Sequence, residues 1–592
     1  MKRIKEYKKV ILSVLILFIT LNLIYYIAKS ILNIRLRVLL GLVLVIGLIG
    51  LARRFKDLFI GIKEKYGDIA ARIIKEIVQK VNSLFIGLYG LGFILSADVS
   101  DYLSNFPFSE FSYVGVGLFR TFVELMIGFF FIISARLSFS RQKKFVKILY
   151  PLLVVTYFYL FMIGEGLISL LPLLVIGVMT YFTKEVLNKE SFIYSIEEIL
   201  IDFVFAAFYL TIYFKNTFTT RPLEAFPIVY KLLFFAIVFA IMLISLRIIL
   251  SYMKADNEFL KVPDLDEYEK FLAEINQDTS ITAGLGFLGD KYIHYYEEDG
   301  RKLLAFIYQV VNNKIIVMGE PIGREEYLDQ GLRYFVDKCE KSALKPVFYE
   351  VGRKFTMMLH DYGYDFMKFG ENAFLELEEF SLAGRKKSSL RNILNRFEKD
   401  GYKFELIDPP YDDKLLDRLE VISEKWLKGR DEKGFSMGFF DRSYLSRSKL
   451  ALVYDKYMDL AAFISIMPNY DDKILTIDLM RYDTDMNVNS MMDYLFLNLF
   501  IYGKDKGYKY FNLGMAPLSN VGINKSAYLP EKIASLIFKH ADFLYPFKGL
   551  RNYKSKYASI WDGKYISFAK GNFILTSISA ILFADRGKIK ED

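Results

Sequence analysis

The sequence is poor in the residues that form disulfides and soft metal ligands. Cys339 is the only cysteine among 592 residues, so no disulfide can form within the chain and a cysteine-rich zinc site is excluded. Three histidines, at positions 294, 360 and 540, leave little room for a histidine-based metal centre. We therefore expect no metal centre of these kinds, and we separately predict that the protein uses no cofactor.

The short motifs of several common enzyme classes are also missing. The sequence contains no phosphate-binding G-x-x-x-x-G-K-[ST] loop, no G-x-G-x-x-G that opens a helix and no H-E-x-x-H pair. These absences argue against P-loop, dinucleotide-binding and zinc-protease chemistry. Long apolar runs are missing from residues 255–592 as well, which read as an ordinary globular sequence.

The apolar residues are concentrated in the first part of the chain. Hydrophobic residues make up 53% of the sequence, and the mean hydropathy is +0.25. Residues 1–254 hold nearly all the long apolar runs, together with 29 Lys and Arg against 16 Asp and Glu. The net charge of +9 therefore comes from this part, and the remainder is slightly acidic. The basic balance does not by itself mark residues 255–592 as a nucleic-acid binder.

Eight stretches are long enough, or nearly so, to cross the bilayer as helices. They lie at 10–28, 36–52, 83–98, 113–134, 146–163, 166–182, 197–214 and 227–250. Lys and Arg are more frequent in the connections that face the cytoplasm when the N-terminus is inside. We therefore expect a multi-pass membrane protein with both termini and residues 255–592 in the cytoplasm.

Strand and helix patterns alternate along residues 255–592, and their order is repeated. The first round runs from strands at 302–309 and 314–318 through a helix at 327–342. The second runs from strands near 461–480 through a helix at 490–506. This repetition predicts two tandem α/β lobes, 255–380 and 381–592, of the acetyltransferase-like type. Other α/β folds would produce a similar alternation.

Four segments carry residues that folding alone does not easily explain. The first, 384–399, places Gly and Ser before a helix with clustered cations that include Arg385, Lys386 and Arg391. The amide groups of a helix N-terminus and nearby cations favour an anion at the same place. A solvated basic helix face is the alternative.

The second segment is a strand at 476–483. Asp478 and Arg481 interrupt its apolar alternation and place charged groups at the end of the sheet, where sites of this fold lie. A purely structural Asp–Arg pair is the alternative.

The third segment runs from 510 to 520. It is a strand that contains Asn512 and Gly514 and leads into a Pro, Ser and Asn loop, which can bring backbone N–H groups close to a ligand. A plain turn explains the same residues.

The fourth segment, 547–557, alternates cations such as Arg551 and Lys554 with aromatic residues. This pattern suits phosphate contacts combined with stacking on bases, or packing at a lipid interface. The edge of a surface helix would read similarly.

These segments, taken in order, resemble the C-terminal domain of the bacterial multiple peptide resistance factor, the family of lysyl- and alanyl-phosphatidylglycerol synthases. The resemblance runs from about Gly284 to Trp561. Its further motifs are Val317–Gly323, Lys368–Glu371, Arg391–Tyr402 and Lys433–Asp441. A membrane part before the domain is also typical of the family, although the one here is shorter than in members with a full lipid-flipping module.

The resemblance implies transfer of an amino acid, with lysine expected, from aminoacyl-tRNA to phosphatidylglycerol in the bilayer. The product would lower the negative charge of the membrane and protect against cationic antimicrobial peptides. On matching positions the functional candidates are Lys368, Glu371, Asp478, Arg481 and Lys554. A homo-oligomer stays an open alternative.

The aminoacyl ester is already activated, so transfer to an alcohol needs alignment, a base and stabilisation of an oxyanion. Asp478 or Glu371 is expected to hold the substrate amine or act as the base. Arg481 and Lys554 are expected to bind the lipid phosphate or the 3′ end of the tRNA. The competing hypotheses are a tRNA-dependent transferase for another acceptor, such as a peptidoglycan precursor, and a lipid flippase or transporter with a regulatory soluble domain. A non-catalytic membrane scaffold is a further alternative.

Overall fold

A computed structural model describes residues 67–68, 71–94, 113–163, 171–193, 195, 199–200, 203–204, 207, 228–254, 258–275, 281–468, 473–486, 488–540, 547–570 and 574–584. The chain divides into two compact units. The first comprises Met1–Ala255 with Lys341–Ala343, and the second comprises Asp256–Glu340 with Leu344–Asp592.

The first unit is helical in its described residues. Its helices are Ala71–Ile94 (α1), Tyr113–Phe139 (α2), Phe145–Met162 (α3), Leu171–Thr183 (α4) and Ile228–Met253 (α5). Four of them contain an apolar stretch of at least 18 residues, about 27 Å of helix, which is long enough to cross a membrane. A membrane-helical part is therefore confirmed.

The eight predicted spans fare differently. Those at 10–28 and 36–52 lie outside the described residues, as does most of 197–214. Residues 83–94 of the span predicted at 83–98 lie in α1, and 95–98 lie outside the described residues. Helix α1 already begins at Ala71, because the lysines before residue 83 alternate with an apolar face rather than ending the helix.

A charged pair inside the membrane helices is satisfied by a third partner. The Nε of Arg120 lies 2.9 Å from a carboxylate oxygen of Glu124, one helical turn away on α2. The hydroxyl of Tyr159 on α3 donates to the same oxygen at 2.7 Å. Because a charge at this depth is costly unless it is paired, these contacts explain how the buried Glu124 is tolerated.

The second unit is built on one sheet. Its strands are Tyr292–Glu298 (β1), Arg301–Val311 (β2), Lys314–Met318 (β3), Ile322–Gly323 (β4), Lys345–Val351 (β5), Tyr364–Glu376 (β6), Lys403–Ile407 (β7), Lys449–Tyr454 (β8), Leu460–Ile466 (β9), Ile474–Tyr482 (β10), Tyr510–Pro517 (β11) and Ile560–Ala569 (β12). They pair in the order β1-β2-β3-β5-β12-β6-β11-β10-β9-β8-β7, and β4 pairs with β2.

The helices of this unit are Leu265–Ile275 (α6), Leu328–Lys341 (α7), Arg353–Asp361 (α8), Ser388–Lys399 (α9), Asp413–Leu427 (α10), Arg442–Leu445 (α11), Met491–Asp505 (α12), Leu529–His540 (α13), Phe547–Lys554 (α14) and Ile574–Ala584 (α15). Aromatic stacks anchor two of them. Phe335 of α7 stacks on Phe306 of β2 at 4.1 Å between ring centroids, and Phe397 of α9 stacks on Tyr494 of α12 at 4.4 Å. Burial of such rings is worth about 2 kcal/mol each.

The sheet contains the same arrangement twice. Antiparallel strands β1, β2 and β3 are followed by α7 and by β5, which pairs parallel with β3. Antiparallel strands β7 to β10 are followed by α12 and by β11, which pairs parallel with β10. A helical crossover is what a parallel pair requires. The predicted fold class, membrane helices followed by a duplicated α/β arrangement of acetyltransferase-like type, is confirmed.

The two halves of the sheet are not separate along the chain. Strand β12, near the end of the sequence, pairs with both β5 and β6 and so lies among strands of the first half. Strand β6 in turn pairs with β11 of the second half. The lobe boundary at residue 380 stays a prediction, since one continuous sheet runs across it.

Candidate functional site

Asp478 lies on β10, at a register shift between Ile477 and Met480 in the pairing with β9. Its carboxylate accepts a hydrogen bond from the backbone N–H of Gly438 at 2.9 Å and one from the hydroxyl of Tyr444 at 2.7 Å. Loss of water contact raises the pKa of Asp478 above its usual value, although both donors act in the opposite direction. A carboxylate of raised pKa is better suited to accept a proton near neutral pH.

The partners of Asp478 are positioned by local sequence signals. Asp441 caps the short helix α11 by accepting from the backbone N–H of Tyr444 at 2.8 Å, which fixes the start of the turn that carries the tyrosine. Gly438 has no room for a side chain, because a Cβ there would overlap the carboxylate of Asp478. The run Gly434–Gly438 spells G-x-S-x-G, but it lies in the loop between α10 and α11 rather than at the strand-to-helix turn of a nucleophile elbow.

A buried ion pair supports the same loop. Lys291 is fully buried, donates to the carbonyl of Leu285 at 3.1 Å and pairs with the neighbouring Asp290. The other carboxylate oxygen of Asp290 accepts from the backbone N–H of Phe435 at 2.7 Å. We call Asp290, Lys291, Gly438, Tyr444 and Asp478 the Asp478 cluster.

Arg481 lies three residues after Asp478 on β10, and three side chains hold it in place. Its guanidinium lies 4.0 Å from the ring centre of Trp426 and bonds to Glu432 at 3.0 Å and to the hydroxyl of Ser423 at 3.3 Å. Helix α10, which carries Trp426 and Ser423, begins at the N-cap Asp412. These contacts make Arg481 a rigid, nearly buried cation beside the Asp478 cluster.

A second group of charges lies at the centre of the sheet. Glu371 on β6 is opposite Ala516 of β11 on one side and Gly563 of β12 on the other. Its carboxylate accepts from Lys368 at 2.7 Å, from Asn520 at 2.9 and 3.1 Å, from Ser519 at 3.3 Å and from Arg551. We call these five residues the Glu371 cluster.

These hydrogen bonds decide the charge state of Glu371. Burial alone would raise its pKa, but the hydrogen bonds from Lys368, Asn520 and Arg551 outweigh it and lower the pKa below its usual value. An ionised carboxylate with this many donors is a poor proton acceptor. Of the two carboxylates expected as base, Asp478 therefore fits that role better, and Glu371 fits the role of holding cations in place.

Helix α14 carries two cations, Arg551 and Lys554, which are held by an aromatic ring and by a backbone carbonyl of β11. The guanidinium of Arg551 on α14 stacks on Trp561 at 3.8 Å. Lys554, one turn later, donates to the carbonyl of Met515 at 2.7 Å and lies next to Gly514. Burial lowers the pKa of Lys554 to about 8, with the charge of Glu350 acting in the opposite direction.

The remaining predicted residues are less directly placed. The side-chain oxygen of Asn512 accepts from the N–H of Gly514 at 2.9 Å, which shapes the bulge in β11. Arg391 on α9 donates to the carbonyl of Gly384 at 2.8 Å and so closes the turn before its own helix. Arg385 is exposed in that turn, and the side chain of Lys386 lies outside the described residues. A ligand role for these four stays a prediction.

The structure thus brings the predicted residues together in two groups. Lys368, Glu371 and Arg551 meet in one, with Lys554 adjacent. Asp478 lies in the other, with Arg481 beside it. Three aromatic rings connect the two groups. The ring centroid of Tyr349 lies 5.3 Å from that of Phe369, beside the Glu371 cluster, and 6.3 Å from that of Phe435, beside the Asp478 cluster.

Sequence reasoning missed several partners. These are Asp290, Lys291, Trp426, Glu432 and Tyr444. The glycines at 434 and 438 in the motif Lys433–Asp441 were the available signal, because both make close backbone approaches to a carboxylate. Within the described residues, no group of three or more His, Cys, Asp and Glu is arranged to hold a metal ion.

Comparison with known proteins assigns the second unit. Residues 271–568, about half of the chain, match the family model described as phosphatidylglycerol lysyltransferase, C-terminal. The chain belongs to this family. Both clusters lie within the matched residues.

Curated relatives of the family extend the similarity. A phosphatidylglycerol lysyltransferase of Bacillus subtilis is 32% identical over 467 residues, covering 77% of this chain and 53% of the relative. One from Staphylococcus aureus is 33% identical over 336 residues, covering 56% and 39%. The chain thus spans about half the length of the curated relatives it matches.

This chain is also similar to a protein of known structure. The structure of L-PGS from Bacillus licheniformis is 35% identical, covers 55% of this chain and 99% of its own, and has a TM-score of 0.49.

Proposed function

We propose that this protein transfers a lysyl group to the glycerol head group of phosphatidylglycerol. The observation that carries the proposal is that one family match, 271–568, encloses both charged clusters in a chain that also has membrane-crossing helices. The relatives' names support lysine as the amino acid and phosphatidylglycerol as the acceptor.

The donor in this proposal is lysyl-tRNA, whose ester is already activated. The free glycerol hydroxyl attacks the ester carbonyl carbon, a new C–O bond forms, and the bond to the ribose oxygen breaks. The hydroxyl proton passes to the carboxylate of Asp478 and from there to the leaving ribose oxygen. The raised pKa of Asp478 favours the first of these transfers, the uptake of the hydroxyl proton.

The other residues act by charge and position. Arg481, with its guanidinium fixed between Trp426 and Glu432, supplies a positive charge for the oxyanion or the lipid phosphate. Lys554 binds an anionic oxygen in its ammonium form. Glu371 keeps Lys368 and Arg551 in place and undergoes no proton transfer itself.

The cellular part of the proposal follows from charge. Lysyl-phosphatidylglycerol carries an added amine, so the product makes the membrane surface less negative and weakens the binding of cationic antimicrobial peptides. The transfer takes place at the bacterial cytoplasmic membrane, with both termini and the second unit on the cytoplasmic side, where aminoacyl-tRNA is available.

Reconstitution tests the proposal. The full chain, purified and placed in vesicles of phosphatidylglycerol and phosphatidylcholine, is incubated with radiolabelled lysyl-tRNA, and lipids are extracted and identified by mass. We expect lysyl-phosphatidylglycerol from the intact protein and none from Asp478→Asn. Asp459→Asn, which alters an exposed carboxylate paired with Arg418, is the matched control and should retain activity.

Two results would contradict the proposal. If the folded, membrane-inserted protein made no aminoacylated lipid, phosphatidylglycerol would not be its acceptor. Full activity of Asp478→Asn would exclude Asp478 as the base.

A further inference from the structure

Helix α13 exposes an apolar face that does not pack on its own unit. Leu529, Ile533, Leu536 and Ile537 follow the spacing of one helical face, and their exposed fractions run from 37% to 70%. Ile523 and Tyr528, just before the helix, are exposed to 66% and 78%. We call these six residues the α13 outer face.

The opposite side of the helix is the one that packs. Ala534 and Ser535 are buried there, and Ala534 forms a small core with Leu518 and Val521. A side chain at Gly522 would overlap the carbonyl of Glu531, so the helix lies close against the preceding loop. The α13 outer face is therefore not needed to hold the helix in place.

The charge around this face is positive. Residues 523–540 contain Lys525, Lys532 and Lys539 and only one acidic residue, Glu531. The carboxylate of Glu531 is turned inward and accepts from the backbone N–H of Lys368 at 3.2 Å. An apolar face bordered by lysines is the pattern of a helix that lies in the interface of an anionic bilayer.

We propose that the α13 outer face docks on the surface of an anionic phospholipid bilayer, with its apolar side chains among the upper acyl chains and its lysines at the phosphates. The same helix contacts Lys368 through Glu531, so docking places the Glu371 cluster next to the lipid head groups. The inference deepens the proposed function, on which its activity test rests, whereas its binding test does not depend on catalysis.

Fluorescence quenching in the full chain tests the docking directly. Leu536→Cys is made in a Cys339→Ser background, labelled with a fluorophore and reconstituted in phosphatidylglycerol–phosphatidylcholine vesicles that contain a nitroxide-labelled lipid. Tyr457→Cys, in the exposed turn between β8 and β9, is the matched control. We expect lipid quenching at position 536 but not at 457, and weaker quenching at 536 in vesicles of phosphatidylcholine alone.

Equal, low quenching at both positions would overturn the proposal. A label at 536 that is immobile yet unquenched would also overturn it, because a second copy or another part of the chain would then cover the face.

Activity measurements separate docking from catalysis. We expect Leu536→Asp to lower lysyl transfer to bilayer phosphatidylglycerol by about tenfold, because a charge replaces a membrane-buried apolar side chain. Transfer to a water-soluble short-chain phosphatidylglycerol should be unchanged, as should both activities of Tyr457→Asp. An equal loss with both acceptors would overturn a docking role. If the intact protein makes no lysyl lipid, the proposed function fails while the quenching experiment still decides the docking.

Discussion

Gly438 and Asp478 are matched to each other: the amide of the glycine donates to the carboxylate at 2.9 Å, and a Cβ on the glycine would occupy the position of that carboxylate. The two residues are forty positions apart in sequence, one in a loop and the other on β10. Gly438 therefore leaves the space that the Asp478 carboxylate occupies and donates a hydrogen bond to it.

Gly438→Ala should consequently displace the Asp478 side chain. We expect lysyl transfer to fall by about a hundredfold, as when a catalytic group is moved by a fraction of an ångström to one ångström. Gly92→Ala in α1, where a Cβ meets nothing within 4 Å, is the control and should be active. Normal activity of Gly438→Ala would show that the carboxylate does not need its observed position.

Glu371→Gln should destabilise the second unit in a pH-dependent way. The folded-state pKa of Glu371 lies below its usual 4.5, so its contribution to stability is present above that pH and is lost as the pH falls through the lowered value. We expect a loss of about 2 kcal/mol at pH 7 and a smaller difference from the intact protein near pH 4.

The fluorescence of Trp426 and Trp561, both of which lie in the second unit, reports unfolding on heating and gives the measurement at each pH. If the difference in unfolding temperature between Glu371→Gln and the intact protein did not change with pH, an ionised Glu371 in the folded protein would be contradicted.

Lys554 should give lipid binding a pH dependence. Its pKa of about 8 means that the ammonium form is lost as the pH rises through that value, so the KM for phosphatidylglycerol should rise between pH 7 and 9. Lys554→Arg keeps its charge over this range and should flatten the profile. Lys554→Met should show the higher KM throughout. The spontaneous hydrolysis of the donor ester is subtracted at each pH, and an unchanged profile for Lys554→Arg would exclude Lys554 as the titrating group.

Asp290→Asn should slow the reaction through the loop it supports. The substitution removes the charge that pairs with Lys291 while leaving an oxygen for the N–H of Phe435, and we expect kcat to fall by about tenfold with little change in KM. A positioning role predicts that Asp290→Asn has almost no further effect on the residual activity when combined with Gly438→Ala, which already displaces the Asp478 carboxylate. Additive losses would indicate an independent role.

Much of this architecture follows from patterns that act locally. Helix α7 begins and ends within one residue of the predicted 327–342, because its apolar residues keep the helical period and its flanks carry turn residues. Asp478 and Arg481 were conspicuous because charged side chains interrupt an apolar strand. The residues that support them were not conspicuous. Asp290, for example, precedes Phe435 by 145 residues, and only the fold brings the two together.

The same distinction explains the α13 outer face. An amphipathic helix can be seen in a sequence, but which of its faces is covered depends on the neighbours that packing supplies. Here Leu518 and Val521 cover one side.

The insertion of β12 between β5 and β6 has a consequence for synthesis. The ribosome delivers β5 and β6 about two hundred residues before the strand that joins them. Until residue 569 has emerged, both strands present unpaired hydrogen-bonding edges, which are prone to association with other chains. The nascent chain therefore cannot complete the sheet around the Glu371 cluster before β12 is in place, and a truncation that removes only the last thirty or so residues should yield an aggregation-prone, inactive chain rather than a half-functional one.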